Sequence, residues 1–494
     1  MMSNKSEKAV SKSNLSEYYS TAQEKYSRER IEQWDRCEYW LSRSFELGKY
    51  YRRRLAGIFK TTVPQGQSVL ELGCSTGDLL HALMPSVGVG IDFSAEMIRS
   101  ARSKYPDLQF YQADAHDFKL DRKFDYIVLS DLINDLWDVQ LVLNNIRHVC
   151  THNTRIVINY YSRLWQIPLD IARKLRLAKP ILPQNWFTRQ DIETLLGLSG
   201  YEVIRYSSEI LCPLPVPFIG SLLNRFFAKL WPFRIADLTN VIVARPLIAG
   251  ENVPEKPVVS VIVAARNEAG NIPKIFKRIP QMAGGTELIF VEGGSTDNTY
   301  EAVKTEMAKC PEIDCKLFRQ TGTGKGDAVR LGFEKATGDI LMILDADLTV
   351  LPEVLPRFTE ALLSGRGEFI NGVRLVYPMQ KQAMRFFNLI GNKFFSMAFS
   401  WLLGQPIKDT LCGTKALWRD RYELICAHRS YFGDFDPFGD FDLIFGAAKL
   451  NLKIIDLPVR YQERTYGTTN IQRWRHGVLL LKMFLFGMKK IKFL

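Results

Sequence analysis

Short apolar runs alternate with amphipathic stretches of helical period along this chain, and the alternation occurs twice, first from about Ser68 to Arg245 and again from about Val258 to Arg460. Runs such as SVLEL from Ser68 and VVSVIVAA from Val258 have no polar face, so they predict strands buried on both sides. Helices between such strands build an α/β sheet covered on both faces. The stretch ARPLIAGENVPEKP places Pro246, Gly250, Pro254 and Pro257 together between the two series. Breakers of that density mark a linker. The expected organisation is an N-terminal extension over 1–45, an α/β domain over 46–246, a linker over 247–257, a second α/β domain over 258–470 and a basic amphipathic helix over 471–494. A chain of 494 residues exceeds what one hydrophobic core organises, which agrees with two domains.

Composition adds little to the fold but narrows the partners. Hydrophobic residues make up 46% and charged residues 24%, ordinary globular usage. The 8 Cys form no CxxC pair, so reduced thiols are expected. A formal charge of +12 calls for an acidic partner. The polar start, MMSNKSEKAVSKSNLSEYYS, lacks the apolar core of a secretory signal, so a cytosolic location is expected, with the first dozen residues disordered.

In the N-terminal half, SVLELGCSTGDLL runs from a strand through a Gly-bearing turn into a helix, the layout of a ligand-binding turn. Gly73 and Gly77 let backbone approach a ligand, and Glu71 offers a carboxylate at the strand's end. The next strand, VGVGID, ends at Asp92, about 20 residues further on, where an acid can take two ribose hydroxyls. YQADAHDF then supplies Asp114, and FDYIVLSD supplies Ser130 and Asp131. The spacing Gly73-xxx-Gly77 is not that of a nicotinamide site. It resembles the ELGCGTG signature of class I methyltransferases, with Ser75 where that family often has Gly. The resemblance spans roughly Tyr50 to Arg245. It implies a Rossmann-like sheet binding S-adenosylmethionine through Glu71, Gly73, Gly77, Asp92 and Asp114, with Ser130 and Asp131 lining the floor. The methyl acceptor is expected beyond Asn159, Tyr160 and Tyr161, where the tyrosines read equally as packing residues. The insertion LCPLPVPFIGSLLNRFFAKLWPF is apolar and basic without an acid; it either holds a lipid-like acceptor or covers the sheet.

In the C-terminal half, VVSVIVAARNE and ELIFVEGGSTDNT are strands ending in polar turns, and sites in open α/β sheets form at such carboxyl ends. Lys325 opens the helix after GTG, and the next strand stops at Asp345-Ala-Asp347. A diphosphate leaving group gathers negative charge, which a divalent cation held by one or two carboxylates neutralises. Strand alternation is expected to send Asp345 and Asp347 to one side, where both reach one ion. Together these segments resemble glycosyltransferase family 2, with its GT-A sheet, and particularly its polyprenyl-phosphate sugar transferases of the dolichyl-phosphate mannose synthase type, from about Val258 to Asn470. The resemblance implies that Glu268, Glu292, Asp297, Lys325, Asp345 and Arg374 bind a nucleotide-sugar donor and that Asp345 and Asp347 bind Mg²⁺ or Mn²⁺. KDTLCGTKA follows the family's Asp-xx-Ser-Gly-Phe segment through Asp409 and Gly413, and RTYGTTN follows its Arg-xx-Gly-x-Ser-Lys element, which gives Arg464 a phosphate contact. The chain departs from the family at Glu292-Gly293-Gly294, at Cys412 and Thr414, and at Asn470. GDFDPFGDFDLIFGAAK carries Asp434, Asp436, Asp440 and Asp442. Either Asp440 or Asp442 would be the general base for a hydroxyl acceptor in an inverting displacement; a phosphate acceptor needs none.

No acid lies between Glu368 and Asp409, and in KQAMRFFNLIGNKFFSMAFSWLLG the residues Lys381, Arg385, Asn388, Asn392, Ser396 and Ser400 fall on one helical stripe. The last helix lines up Arg475, Lys482 and Lys489. Acid-free basic helices of this kind fit the interface of an anionic membrane, peripheral at its cytosolic face, or else pack on their own domain. The aromatics share the apolar face instead of interleaving with the cations, so nucleic acid is not expected. The overall expectation is a sugar transferase working on a polyprenyl-phosphate or other lipid-linked acceptor, fused to a methyltransferase of the same glycan pathway.

Overall fold

In the computed structural model, which describes residues 12–42, 46–175, 182–248, 254–377, 386–431, 441–467 and 473–493, the chain divides into two compact units, Met1–Ile248 and Ala249–Leu494. In the first unit, β1 (Ser68–Leu72), β2 (Val87–Asp92), β3 (Gln109–Gln112), β4 (Tyr126–Ser130), β5 (Arg155–Tyr161), β6 (Tyr201–Glu209) and β7 (Thr239–Pro246) form one sheet of order β3-β2-β1-β4-β5-β7-β6. Only β7 runs against its neighbours, slotted between β5 and β6. The helices of this unit are α1 (Lys12–Ser42), α2 (Glu46–Thr62), α3 (Asp78–Ala82), α4 (Ala95–Lys104), α5 (Val139–Asn145), α6 (Gln166–Lys174), α7 (Arg189–Leu198) and α8 (Ile219–Arg225). Leu70 and Leu72 enter one core and Val69 the other, as a strand with both faces covered requires. The N-terminal extension is helical from Lys12 onward; its first eleven positions lie outside the described residues.

The second unit repeats the plan with β8 (Val259–Ala265), β9 (Thr286–Glu292), β10 (Asp314–Arg319), β11 (Ile340–Ile343), β12 (Phe369–Val373), β13 (Lys415–Trp418) and β14 (Ile454–Pro458), in the order β10-β9-β8-β11-β13-β12-β14. Here β13 is the antiparallel strand. Its helices are α9 (Ile272–Arg278), α10 (Thr299–Lys309), α11 (Lys325–Lys335), α12 (Leu355–Leu363), α13 (Phe386–Leu403), α14 (Arg419–Ala427), α15 (Phe441–Lys449) and α16 (Arg473–Gly487). Both sheets are therefore α/β, mostly parallel, and reverse their strand order beside the first strand, at β1/β4 and at β8/β11. Ligands of open α/β sheets sit at that reversal.

Of the polar stripe expected on α13, Ser396 and Ser400 turn inward: their Oγ atoms both donate to the Ile407 carbonyl, at 2.8 and 3.1 Å. Phe399, Leu402 and Leu403 join Leu480 and Met483 of α16 in the core, so these helices pack in large part on their own unit. Phe394 and Met397 on α13, and Val478, Leu481 and Leu485 on α16, remain exposed. Lys381 and Arg385 lie outside the described residues.

Candidate active sites

The first unit gathers its polar groups at the carboxyl ends of β1, β2 and β4. Gly73 and Gly77 hold φ of 70° and 76° after β1. A side chain at either would also collide, with Leu132 at 2.8 Å for Gly73 and with Phe110 at 2.7 Å for Gly77, so only glycine permits this turn. Asp92 closes the cradle by accepting the amides of Ser75 (2.9 Å) and Ser94 (3.0 Å). Burial pushes its carboxyl up to about 6. The turn and Asp92 thus fit the ribose and backbone contacts expected of S-adenosylmethionine.

Other predicted contacts fall elsewhere. Glu71 is buried under α3, its carboxyl raised by burial and its Oε2 without a hydrogen-bond partner among the described residues, so it supports the turn from within instead of presenting an open contact. Asp114 is turned to His116, accepting from its amide at 3.0 Å and meeting Nδ1 at 2.5 Å. Ser130 ends β4 half-buried, and the sharper feature is its neighbour. Asp131, at φ 52°, accepts from Tyr51 Oη (2.9 Å) and Asn159 Nδ2 (2.5 Å) while its own amide donates to Asn159 Oδ1 (3.1 Å). Burial pushes this carboxyl up to about 6 despite those donors. Tyr161 packs against Tyr51 with ring centroids 6.1 Å apart, whereas Tyr160 is fully buried in the core. Of the two adjacent tyrosines, Tyr160 is thus a packing residue and Tyr161 stands beside Asp131.

Sequence reasoning missed α1 as part of this site. Ser94 Oγ donates to Asp35, Tyr26 stacks edge-on against Trp137, and Arg30 pairs with Asp135 while donating to the Pro183 carbonyl at 2.6 Å. The helix therefore lies across the carboxyl ends of β2 and β4. The only signal available was an unexplained Arg and Tyr one turn apart in a polar extension.

In the second unit the carboxylates meet over long sequence separations. Asn267, at φ 58°, accepts the Thr296 amide at 2.8 Å and ties the ends of β8 and β9. Asp297 accepts the amides of Ala269 (3.2 Å) and Thr299 (3.0 Å); burial opposes its charge, but these donors and the Thr299 hydroxyl hold it below the usual carboxylate range. Lys325 Nζ sits 2.7 Å from Asp345, and Arg464 bridges Asp347 (2.7 Å) and Glu268 (3.0 Å). Thr349 donates to the other oxygen of Asp347 through its amide (3.1 Å) and hydroxyl (2.8 Å). Asp345 and Asp347 stand in the turn after β11, not on the strand, so backbone alternation does not aim them; each is aimed by its own cation and by the turn. Their side chains stay 27% and 17% exposed, open enough for both to fit a divalent ion.

Gly413 explains how tightly this corner is built, since a Cβ there would lie 2.2 Å from Asp345 Oδ2 and 2.4 Å from Lys325 Nζ. Behind it lies a residue the sequence did not single out. Lys415 on β13 is fully buried, donates to the Cys412 carbonyl, and adds positive potential that helps Lys325 hold Asp345 below its usual range against burial.

Three assignments change. Arg374, its side chain 11% exposed, forks onto Asp409, Nε to Oδ2 at 2.7 Å and Nη2 to Oδ1 at 2.9 Å, so it braces β12 against the loop before β13 and acts on Asp345 only through its charge. Glu292 folds back to accept the Ser295 amide at 2.5 Å, so it shapes the Gly293-Gly294 turn. Asp442, at the start of α15, lies 3.8 Å from Arg330 and 3.5 Å from Arg429, and with Ile425, His428, Arg429 and Lys449 it lines a small cavity. That is the setting of a structural ion pair. Asp434, Asp436 and Asp440 lie outside the described residues.

Both sites lie at the carboxyl ends of α/β sheets, each where the strand order reverses. Residues 64–198 match the profile of a methyltransferase domain, and residues 260–421 match Glycosyl transferase family 2. The chain thus carries a methyltransferase domain followed by a family 2 glycosyltransferase domain. A dolichol-phosphate mannosyltransferase of Pyrococcus furiosus is 32% identical over 236 residues, covering 45% of this chain and 64% of the relative. An undecaprenyl-phosphate 4-deoxy-4-formamido-L-arabinose transferase of Pectobacterium carotovorum is 28% identical over 218 residues, covering 43% and 62%. The chain therefore spans under two thirds of the length of either relative. Among solved structures, an S-adenosylmethionine-dependent methyltransferase of Thermotoga maritima aligns at 13% identity and TM-score 0.35, covering 44% of this chain and 99% of that one.

Proposed function

We propose that the C-terminal unit transfers a sugar from a nucleotide-diphosphate sugar to a polyprenyl-phosphate or other lipid-linked acceptor, with inversion, and that the N-terminal unit binds S-adenosylmethionine and methylates a substrate of the same glycan pathway. The observation that carries this reading is the convergence of Asp345, Asp347, Glu268, Asp297, Lys325 and Arg464 at the carboxyl ends of β8, β9 and β11. Mg²⁺ or Mn²⁺ held by Asp345 and Asp347 would offset charge on the departing diphosphate. Lys325, at the first turn of α11, and Arg464 supply cations for the phosphates. An acceptor oxygen attacks the anomeric carbon as the bond to diphosphate breaks, and the electron pair leaves with the diphosphate.

A phosphate acceptor arrives as an anion and requires no base. The relatives named for lipid phosphates support that acceptor over a hydroxyl. No helix among the described residues is long and apolar enough to cross a membrane. Peripheral contact at the cytosolic face, with the exposed face of α16 toward anionic lipid, suits a lipid-linked acceptor.

In the N-terminal unit, S-adenosylmethionine would supply an electrophilic methyl group, held by the Gly73–Gly77 turn and Asp92. Asp131, with Tyr51 and Tyr161 beside it, would take a proton from an acceptor. The sugar-transfer reading is tested by screening UDP- and GDP-sugars for turnover with Mn²⁺ or Mg²⁺, with and without polyprenyl phosphate. Metal-dependent turnover lost in Asp345→Asn and Asp347→Asn is expected; turnover indifferent to chelator refutes it.

A further inference from the structure

The methyltransferase unit carries an apolar surface that its own core does not use. Helix α6 has no buried residue, and Leu164, Ile167, Ile171 and Leu175 form an exposed stripe along it. Beside it lies the insertion between β6 and β7, whose tip residue Phe218 is 91% exposed and whose Trp231 is 75% exposed. The two segments are one surface, because Trp165 Nε1 donates to the Ala236 carbonyl at 2.8 Å and the Ser162 amide to the Leu238 carbonyl at 2.8 Å. The insertion is anchored from below by Asn224, which bonds Cys212 on both backbone sides at 2.7 Å and donates to Tyr50 Oη at 3.1 Å.

Phe218 sits at φ 59°, a backbone region that bulky side chains avoid. Strain accepted in order to aim an aromatic ring into solvent points to an external ligand for that ring. From Ile210 to Ala236 there is no acid, while Arg225 and Arg234 are exposed; along α6, Arg163 and Lys174 flank the stripe and Arg173 pairs with the one acid, Asp170, at 2.7 Å. Aromatic tips ringed by cations match the layering of a bilayer with anionic headgroups. A second copy docking on the same patch would set these cations against each other.

The surface also borders the acceptor side of the methyl site. Tyr50 neighbours Tyr51, and Asn159 Nδ2, which holds Asp131, lies 3.3 Å from Thr239 Oγ1 at the end of the insertion. We propose that the methyltransferase unit seats on an anionic bilayer through α6 and the β6–β7 insertion, so that the Asp131 cluster opens at the interface and takes a lipid-anchored acceptor. The docking is independent of the sugar-transfer reading; the acceptor class rests on the methyl-transfer reading.

The test is co-sedimentation of the full chain with phosphatidylcholine vesicles, with and without phosphatidylglycerol. Phe218→Asp with Trp231→Asp is compared with Leu481→Asp and Leu485→Asp on α16. Both substituted pairs are exposed, and unchanged melting and S-adenosylmethionine calorimetry verify the fold. The expected result is binding that requires phosphatidylglycerol and falls at least tenfold in the Phe218/Trp231 variant. Equal partition of that variant and the parent overturns the docking, as does absence of vesicle binding by the parent. A dimer seen by light scattering that the variant splits, with vesicle binding unmoved, assigns the patch to a second copy and also overturns it. Methyl transfer to a water-soluble extract, at the same rate in variant and parent, overturns the lipid-anchored acceptor.

Discussion

Gly413→Ala is the substitution that most directly tests how the sugar-transfer corner is built. The added methyl would lie 2.2 and 2.4 Å from the Asp345 oxygens and 2.4 Å from Lys325 Nζ. Ordinary non-bonded contact requires about 3.5 Å, so one or both groups must retreat by about 1 Å. Both groups end side chains that can rotate, so relief comes by turning the Asp345 carboxylate and the Lys325 ammonium out of these positions and apart. Overpacking of this kind costs about 1–3 kcal/mol and lowers the melting temperature by a few degrees. A displacement of about 1 Å in a catalytic constellation costs on the order of 10²-fold in rate. The assay is metal-dependent release of nucleoside diphosphate from the donor that the screen identifies, with calorimetry of Mn²⁺ and nucleotide alongside. Gly391→Ala on α13 is the control, since a methyl there meets nothing within 4 Å. Turnover of Gly413→Ala within twofold of the parent would refute the claim that Asp345 and Lys325 act from these positions.

Three further outcomes are expected. Asp131→Asn should stabilise the N-terminal unit by ~2–3 kcal/mol near neutral pH and hardly at all at pH ~4. Its folded carboxyl is pushed up to about 6, so the native state holds its proton longer than the unfolded chain and stability falls as pH rises from ~4 to ~6; a variant-to-parent gap in melting temperature that ignores pH would contradict this. Asp409→Asn should cost ~3–5 kcal/mol by leaving Arg374 buried without its counter-charge. Although burial works to raise it, Arg374 holds Asp409 below the usual range, so the pair's contribution is complete above pH ~4 and is lost as pH falls through the folded value; denaturant titrations at neutral and acid pH read both effects. Asp442→Asn should keep sugar transfer near the parent level while lowering stability by ~1–3 kcal/mol, and a large fall in turnover without destabilisation would restore it as a base.

Both sheets were legible because a run such as VVSVIVAA has one physical reading: with no polar face, it must be covered twice. The strand-end acids followed, since Asp92 and Asp345 close such runs. Pairings across distance were not legible. Arg464 meets Glu268 across 196 positions and Asp347 across 117, and no local pattern encodes that meeting. Resemblance named Arg374 as a donor contact because it registers residue types, while the Asp409 fork that consumes the guanidinium becomes visible only in three dimensions. Ser396 and Ser400 misled in the opposite way. A helical wheel sorts polar from apolar but does not know that a loop carbonyl, at Ile407, waits on the inner side.

The pairing of Asp345 with Lys325 and of Asp347 with Arg464 has a thermodynamic corollary for the proposed donor site. At rest each of the two aspartates is matched by a cation. A lone divalent ion drawing on both aspartates takes Lys325's partner and one of Arg464's two; a lone diphosphate must compete with both carboxylates. Arriving together, ion and diphosphate exchange partners with the resident charges and leave none bare. Each should therefore tighten the other's binding by one shared factor, as reciprocity demands.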